Sequence, residues 1–237
     1  MSLLRVENVT KKFGGITANQ DVSFEVGAGK IVGLIGPNGA GKTTMFNSIA
    51  GYFPPTSGDI WLNDQKISGL TPEQCAHAGI GRTFQVARTF TSMTALENVM
   101  VGAFLINRDV RTARRNAIDF LNFVNLGRFK DKAAGSMTIS EQRRLAVARA
   151  LAVNPKLLLM DEVMAGLNPT EVKDMVDVVL KIRDRGISCL IVEHVLEGIM
   201  PIADAIVVLD YGKKIADGKP EEVSNNPQVI AAYLGEE

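Results

Sequence analysis

A glycine-rich loop between an apolar run and a helical pattern constrains this chain more than any other feature. The stretch IVGLI (Ile31–Ile35) is followed directly by GPNGAGKTT (Gly36–Thr44). The pattern GxxxxGK[ST] needs glycines because backbone N–H groups must curl around phosphate oxygens, and the following helix N-terminus adds a favourable dipole. An unbroken apolar run before the loop is typical of a strand buried on both faces. The sequence therefore predicts a phosphate site between a buried strand and a helix.

The side chains of this loop have separate predicted roles. Lys42 is expected to reach the β- and γ-phosphates as a point charge, and the hydroxyl of Thr43 is expected to ligate Mg²⁺. A chance glycine turn is the alternative, and the strand before the loop and the helix after it disfavour that alternative. The residues predicted to bind nucleotide are Gly36, Pro37, Asn38, Gly39, Ala40, Gly41, Lys42, Thr43 and Thr44.

A phosphate loop alone leaves several classes of protein open, namely small-molecule kinases, GTPases, helicases and transport ATPases. A GTPase usually carries an NKxD-type guanine motif, and this sequence has none. The choice among the remaining classes depends on the residues downstream of the loop.

Two adjacent carboxylates follow an apolar run in the second half of the chain. Asp161 and Glu162 come directly after LLLM, residues 157–160. At the end of a buried strand, Asp161 is predicted to hold Mg²⁺ directly or through water. Glu162 is predicted to orient the attacking water and to accept its proton as a general base. A solvated acidic pair is the alternative, and the apolar residues before the pair disfavour it.

Three further side chains are candidates because of their positions. His194 follows the apolar run that ends at Val192, and it is predicted to contact the γ-phosphate or the attacking water. Gln85, in GRTFQ, carries an amide that is predicted to bind Mg²⁺ or water. Phe13, in KKFGG, is either a platform on which adenine stacks or an aromatic residue of the core at the end of a strand.

The hydrophobic pattern predicts the fold class. Alternating apolar and polar residues near the N-terminus, in 3–13 and 21–26, are typical of antiparallel strands. Later apolar runs are separated by helical stretches such as 168–186, and this alternation predicts a mostly parallel sheet covered by helices. Ligands of such sheets bind at the carboxyl ends of the strands.

A block of helical pattern interrupts this alternation between residues 85 and 151. The stretch 115–129 has a broad apolar face, and residues 139–152 are predicted to form another helix with Ser140 as its N-cap. The block is therefore predicted to be a helical insertion within an α/β core.

Charge and cysteine content limit the functions that this chain can have. The 237 residues include 26 basic and 26 acidic side chains, so no polycationic signal points to nucleic acid. The sequence has no apolar run of the roughly 18 residues that a membrane span needs, and its charged N-terminus does not resemble a signal peptide. Cys75 and Cys189 suggest neither a disulfide nor a metal site, and Cys189 is expected to be a buried thiol. We therefore expect a cytoplasmic protein whose membrane role depends on partners.

Taken in order, these residues resemble the ATP-binding subunits of ABC transporters along essentially the whole chain. The ordered motifs are an aromatic residue (Phe13), the Walker A loop (36–44), the Q-loop glutamine (Gln85), the signature segment before QRRLAVARAL, Walker B (157–162), the D-loop (165–168) and the switch histidine (His194). The resemblance implies an α/β P-loop NTPase core with an antiparallel β-subdomain, formed by 1–84 and 152–237, and a helical subdomain at 85–151. It also implies ATP and Mg²⁺ as ligands, and ATP hydrolysis coupled to transport.

Several stretches look like the ATPases of branched-chain amino acid importers, namely GRTFQ (81–85), MAGLNPTEV (164–172), EHVLEGIM (193–200) and VIAAYLGEE (229–237). Lipopolysaccharide-export ATPases share much of this pattern and are the alternative. The importer resemblance implies a second ATPase subunit, identical or not, two membrane permeases, an extracytoplasmic binding protein and no nucleic acid. It places the chain on the cytoplasmic face of the cell membrane, docked through residues 87–99.

Three positions depart from the family pattern. The common signature LSGGQ is replaced by Met137–Glu141, the proline after the Walker B glutamate by Val163, and the D-loop aspartate by Asn168. Thr138 keeps the hydroxyl of the family serine, and Ser140 keeps the backbone N–H of the second glycine. The resemblance implies that these two residues contact the nucleotide held by the partner subunit.

Two rival functions belong to other classes. A soluble ABC ATPase that acts on nucleic acid or ribosomes usually has two ATPase units or long coiled-coil insertions, and this chain has neither. A degenerate regulatory subunit would bind ATP without hydrolysing it. The presence of Lys42, Asp161, Glu162 and His194 argues against the degenerate subunit.

Overall fold

The computed structural model describes residues 2–84 and 89–234, which form two β-sheets and a set of helices. The strands are β1 (Ser2–Phe13), β2 (Ile16–Gly27), β3 (Ile31–Ile35), β4 (Ser57–Leu62), β5 (Gln65–Lys66), β6 (Ile80–Arg82), β7 (Leu157–Asp161), β8 (Ser188–Val192), β9 (Ala205–Asp210) and β10 (Lys213–Gly218). The α-helices are α1 (Lys42–Ile49), α2 (Pro72–Ala78), α3 (Ala95–Ala103), α4 (Val110–Phe123), α5 (Ile139–Leu151), α6 (Pro169–Asp184), α7 (Leu196–Ile199), α8 (Pro220–Ser224) and α9 (Pro227–Leu234).

The larger sheet has six strands in the order β10-β9-β3-β8-β7-β6. The pairs β9–β3, β3–β8, β8–β7 and β7–β6 are parallel, and only the β9–β10 hairpin in this sheet is antiparallel. The register between β7 and β8 places Asp161 opposite Val192. The predicted mostly parallel sheet is therefore confirmed.

This sheet is covered on both faces, as its unbroken apolar runs predicted. Alternate residues of β7 belong to different cores: Leu157 and Leu159 pack towards the smaller sheet and α1, whereas Leu158 and Met160 pack towards the large helices. Because successive side chains of a strand point to opposite faces, a strand with two covered faces must be apolar at every position.

The smaller sheet has four strands in the order β2-β1-β4-β5, and its pairings are antiparallel. The alternating pattern of the N-terminal residues predicted this arrangement. Val6 and Val9 of β1 and Val22 of β2 point into the core that the two sheets share, while the charged residues between them are more exposed.

The helical part of the chain consists of α3, α4 and α5, which pack on one another. The predicted helix over 139–152 is confirmed as α5, but the prediction of its N-cap was wrong. Thr138, not Ser140, is the N-cap, because its side chain accepts a hydrogen bond from the Glu141 N–H (3.2 Å) while Glu141 accepts one from the Thr138 N–H (2.9 Å). This reciprocal pair is a capping box, and it needs an acidic or amide residue three positions after the cap.

Asn168 has an equivalent role at the start of α6. Its side chain accepts a hydrogen bond from the Glu171 N–H (3.0 Å), and Glu171 accepts one from the Asn168 N–H (3.1 Å). The amide that replaces the family aspartate therefore caps a helix of 16 residues.

Both cysteines are buried. Cys189, on β8, is fully enclosed as expected, and burial raises the pKa of its thiol to about 12. Cys75, on α2, is also buried, although its sequence neighbours are polar and small. Within residues 2–84 and 89–234, we find no helix with the length and apolar content of a membrane span.

The carboxyl ends of the parallel strands bring the chemically important segments to one edge. β3 leads into the phosphate loop, β7 ends at Asp161 and β8 ends just before Glu193 and His194. β6 ends at Arg82, beside β7. Since β8 lies between β3 and β7, the segment of His194 lies between the loop and the acidic pair.

Candidate nucleotide-binding and hydrolysis site

Two glycines of the phosphate loop have backbone conformations and close contacts that disfavour any side chain. Gly36 and Gly41 have φ angles of +148° and +95°. A Cβ atom on Gly36 would lie 2.0 Å from the Leu209 carbonyl oxygen, and one on Gly41 would lie 2.4 Å from that of Ala18. Backbone therefore passes directly behind the loop, and the N–H groups of the first turn of α1, which lack helical partners, are presented at its open side.

Two neighbouring segments brace the loop from behind. The fully buried Asn19 on β2 donates a hydrogen bond from Nδ2 to the Gly41 carbonyl (3.2 Å). The Gly212 N–H, from the β9–β10 turn, donates to the Ala40 carbonyl (3.1 Å). Sequence reasoning missed Asn19, and a polar residue within an alternating strand was the available signal.

Lys42 is the first residue of α1, and only 7% of it is exposed. Its Nζ donates hydrogen bonds to the Gly36 and Pro37 carbonyls, at 2.6 and 2.7 Å. The ammonium is thus held inside the curve of the loop. Thr43 is exposed and Thr44 is half-buried.

Asp161 ends β7 as a buried carboxylate. Burial raises the pKa of its carboxyl above the ordinary value, and the nearby Arg82 opposes this rise. Arg82 Nη2 lies 3.4 Å from Asp161 Oδ2, and the hydroxyl of Thr83 accepts a hydrogen bond from the Asp161 N–H (3.1 Å). Sequence reasoning missed Arg82, which only the pairing of β6 with β7 brings to this carboxylate.

Glu162 and His194 are in direct contact. Glu162 Oε1 lies 3.2 Å from His194 Nε2, and both side chains reach solvent at the edge of the sheet. The backbone of Glu162 has a φ of +49°, which a residue with a side chain rarely adopts. Its N–H donates to the Val192 carbonyl (2.9 Å), so the sheet itself fixes this unusual conformation.

Glu193, the residue before His194, is a further carboxylate of this site and was not predicted. It is fully buried, and its Oε1 accepts a hydrogen bond from the Met164 N–H (2.8 Å). Its other oxygen is enclosed without a hydrogen-bond partner. Burial raises the pKa of Glu193 to about 7. An acidic residue directly after a buried strand was the signal that identified Asp161, and it applied equally to Glu193.

Phe13 lies at the end of β1 with 46% of its surface exposed, which argues against the core alternative. Its ring meets Phe53 edge-on, with centroids 5.1 Å apart, and Lys11 Nζ lies 5.0 Å from the Phe13 centroid. A supported and exposed ring of this kind offers a face on which an adenine can stack.

The signature segment forms the start of α5. Thr138 uses its oxygen as the helix cap, and its O–H hydrogen remains available for donation. Ser140, in the first turn of α5, is buried, and Arg144 Nη2 lies 3.4 Å from its Oγ. Ile139 is 62% exposed at the position of a family glycine.

Phe13 lies at the end of β1, in the smaller sheet. The other predicted site residues fall into three groups. The loop residues, Asp161, Glu162 and His194 come together at the carboxyl edge of the larger sheet. Thr138 and Ser140 lie on the helical part of the chain, at the start of α5. Gln85 lies outside the described residues.

Comparison with protein families agrees with this geometry. The family model described as "ABC transporter" matches residues 19–165. A second model, described as "Branched-chain amino acid ATP-binding cassette transporter", matches residues 213–237. The two matches together include the phosphate loop, the acidic pair and the C-terminal helices.

Curated relatives match over nearly their full lengths. The high-affinity branched-chain amino acid transport ATP-binding proteins of Pseudomonas aeruginosa and Escherichia coli are each 40% identical over 250 aligned positions, covering 99% of this chain and 98% of theirs. The lipopolysaccharide export system ATP-binding protein of Haemophilus influenzae is 36% identical over 239 positions, with 100% and 99% coverage.

Solved structures show the same architecture. A nucleotide-free ATP-binding cassette from an ABC transporter is 32% identical, with a TM-score of 0.92 and full coverage of both chains. A dimeric ATP-binding cassette bound to ADP and Pi is 28% identical, with a TM-score of 0.83 over 92% of this chain and 98% of that one. The phosphate loop, the carboxylates at the sheet edge and these matches lead to one conclusion: the chain belongs to the ABC transporter family, as an ATP-binding subunit with the fold and activity of an ABC ATPase.

Proposed function

We propose that this protein is the Mg²⁺-dependent ATPase subunit of a transporter that imports branched-chain amino acids. The observation that carries the catalytic part is the 3.2 Å contact between Glu162 and His194, beside the metal-ligand candidate Asp161. The proposed identity of the transported solute is supported by the similarity to two curated amino acid transport subunits over almost the whole chain.

Nucleotide binding is assigned to the phosphate loop and to Phe13. Lys42 is already held within the loop by two carbonyls, so its ammonium needs no large rearrangement to reach phosphate oxygens. Charge-assisted hydrogen bonds from the lysine and from helix N–H groups then hold the triphosphate. Phe13 supplies a ring on which the adenine stacks.

Hydrolysis is assigned to Glu162, with His194 as its neighbour. Glu162 accepts a proton from the water that attacks the γ-phosphorus, and the bond to the β-phosphate oxygen breaks. His194 orients the carboxylate through its Nε2 and lies where it can also contact the γ-phosphate. The backbone of Glu162 is left-handed, and strained backbone of this kind is often found at active sites.

The residues at the sheet edge fit a magnesium ion. The exposed residue Thr43 offers a hydroxyl and Asp161 a carboxylate, which are the hard oxygen ligands that Mg²⁺ takes together with phosphates and water. Within residues 2–84 and 89–234, no cluster of three or more His, Cys, Asp or Glu offers a metal cage made of side chains alone. When bound, Mg²⁺ neutralises charge that develops on the phosphates. Gln85 is proposed as a further ligand.

The protein is proposed to act with a second ATP-binding subunit, since similar cassettes form dimers. In that dimer, Thr138 and the N–H groups at the start of α5 face the nucleotide of the partner. The helix start provides donors in place of the flexible glycines of the usual signature.

Docking to the membrane permeases is proposed along residues 87–99 and the groove beside them. A cavity of about 450 Å³ is lined by rings and aliphatic side chains that include Tyr52, Phe84, Phe90 and Val101. Tyr52 and Phe90 are about half exposed. An apolar cytoplasmic segment of the permease is the proposed occupant, and this contact places the protein on the inner face of the cell membrane.

A lipopolysaccharide-export role is the second candidate, favoured by the 36% identity to the Haemophilus influenzae protein. Assembly of the chain with its partner permeases, in proteoliposomes, separates the two. Stimulation of ATP hydrolysis by a binding protein loaded with leucine, isoleucine or valine supports import. Stimulation by lipopolysaccharide alone contradicts it, and Mg²⁺-independent ATP binding without turnover contradicts the ATPase assignment.

A further inference from the structure

Arg82 connects the metal-ligand carboxylate with the phosphate-loop helix. Its side chain is about one-tenth exposed. Nη2 lies 3.4 Å from Asp161 Oδ2, and Nη1 donates a hydrogen bond to Asn47 Oδ1 on α1 (2.7 Å). One guanidinium therefore contacts the strand that ends at the metal site and the helix that begins at Lys42.

The same guanidinium lies against two aromatic rings. Its Cζ is 5.0 Å from the centroid of Tyr52 and 5.2 Å from that of Phe84. These two rings meet edge-on, with centroids 6.4 Å apart, and both line the apolar groove described above. Two rings on one side and the Asn47 amide on the other fix the plane of the guanidinium. A lysine ammonium is not planar and does not make the same set of contacts.

A cation at this position has an electrostatic consequence for Asp161. The carboxylate is 4% exposed, so its charge is poorly solvated and requires a partner. Arg82 supplies that partner. Mg²⁺, when it binds Asp161, brings a second positive charge next to the first, and like charges at short range in a buried site repel strongly.

We propose that Arg82 is a positioning residue that acts as the counter-ion of Asp161 before the metal binds, and that it opposes Mg²⁺ binding at this carboxylate. The proposal rests on the assignment of Asp161 as a metal ligand. The aromatic rings keep the guanidinium in place while the carboxylate changes partner, so the charge of the metal site is balanced by a group on the wall of the docking groove.

The first test compares nucleotide affinity with Mg²⁺ and with EDTA in the full-length protein. The variants are Arg82→Met, which removes the cation, and Arg82→Lys, which keeps it without the planar fork. Arg82→Met is expected to increase the Mg²⁺-dependent gain in ATP affinity by about fivefold, because a repelling charge is lost. Arg82→Lys keeps the positive charge on which this gain depends, so its Mg²⁺-dependent gain is expected to stay within about twofold of the parent.

Arg128→Met is the matched control, because Arg128 also lies over an aromatic ring, that of Phe129, at 4.5 Å. It is expected to leave the Mg²⁺-dependent gain unchanged. An equal loss of affinity with and without Mg²⁺ in Arg82→Met would mean that Arg82 has only a structural role. A smaller Mg²⁺-dependent gain would mean that Arg82 assists the metal, and either result overturns the proposal.

The second test needs neither metal nor nucleotide. Thermal unfolding in EDTA is measured for the parent, Arg82→Met, Asp161→Asn and the double variant. In the parent, Arg82→Met is expected to lower the unfolding midpoint by about 5 °C. In the Asp161→Asn background, the same substitution is expected to lower it much less. Equal losses in both backgrounds overturn the pairing. Should Arg82→Met fail to fold, recovery of folding in the double variant supports it and continued failure contradicts it.

These two tests separate the failure of the inference from the failure of the proposed function. Absence of any Mg²⁺-dependent nucleotide binding in the parent contradicts the proposed function. The unfolding cycle still decides whether Arg82 and Asp161 are paired.

Discussion

Glu193 accepts a hydrogen bond from the Met164 N–H at 2.8 Å, and this contact ties the segment after β7 to the segment after β8. Both segments carry catalytic candidates, Glu162 on one and His194 on the other. A buried carboxylate thus joins the two backbones whose side chains must meet.

The burial of Glu193 predicts a pH dependence of stability. Its pKa is raised from 4.5 to about 7 in the folded protein, so ionisation of this group costs stability as pH rises between those values. Glu193→Gln keeps an acceptor for the Met164 N–H and cannot ionise. We expect its free energy of unfolding, relative to the parent, to rise with pH by up to about 3 kcal/mol between pH 4.5 and 8.

Denaturant unfolding at several pH values measures this difference. Replacement of the carboxyl by an amide is expected to add a constant difference in the free energy of unfolding between parent and variant. The change of that difference with pH reports the ionisation of the carboxylate. Parallel stability curves across the whole range would show that Glu193 does not titrate as its burial implies.

Glu162→Gln is expected to retain ATP binding and to lose most hydrolysis. The amide can still hold water at its oxygen, but it cannot accept the proton, and such losses are typically about 10²–10⁴-fold. Measurement of phosphate release at saturating Mg²⁺–ATP, together with a binding titration, checks both parts. Near-normal turnover would assign the base to another residue.

Lys42→Ala is expected to weaken nucleotide binding itself. The substitution deletes a buried ammonium that two loop carbonyls hold in place, and the loss of a charged hydrogen bond typically weakens affinity by about 10-fold or more. A direct titration with ATP and Mg²⁺ checks this. Thr44→Ser, which keeps a hydroxyl in the same loop, is the control and should bind almost as well as the parent.

The signature segment predicts two unequal sites in the assembled transporter. We propose that the partner is a different ATPase subunit with an intact signature, so that Lys42 and Glu162 face that signature and form the stronger site. The segment Met137–Glu141 then faces the partner's loop and forms the weaker one. Thr138→Ala with Ser140→Ala is expected to lower hydrolysis by less than ~10-fold, which is ~1.4 kcal/mol of barrier.

The capping role of Thr138 requires a control for folding. Thr138→Ala also removes an N-cap, a loss that typically costs about 1 kcal/mol of stability, whereas Thr138→Ser keeps the cap. Turnover of the assembled transporter is therefore compared at a temperature where both variants are folded. If the double variant is as inactive as Glu162→Gln, the two sites are equivalent and this signature is fully catalytic.

Local sequence patterns were sufficient to predict the frame of the site. The run Ile31–Ile35 is buried at all five positions, and the loop after it has the strand before and the helix after that its pattern predicts. Asp161 ends β7 and His194 lies two residues beyond β8, because apolar runs of four residues, 157–160 and 189–192, precede them. These predictions succeeded because each depends on residues that are adjacent in the chain.

The remaining features depend on contacts between distant segments. Arg82 reaches Asp161 only because β6 pairs with β7, and a single sequence does not specify which strands are neighbours. Asn19 supports the loop from a different sheet for the same reason. The error at Ser140 is different in kind, because the capping pattern from Thr138 to Glu141 was present in the sequence and has the spacing that a capping box requires.

The pairing of Asp161 with Val192 has a consequence for how this sequence can vary. Exchange of one aliphatic residue of β7 for another changes core volume but leaves Asp161 opposite Val192. Deletion of a single residue from β7 turns every side chain on one side of the gap to the opposite face of the sheet, because side chains alternate with a period of two. It also moves the carboxylate by one strand position, about 3.3 Å. In this strand, length is therefore more constrained than identity, and viable variants should differ in its aliphatic side chains but not in its number of residues.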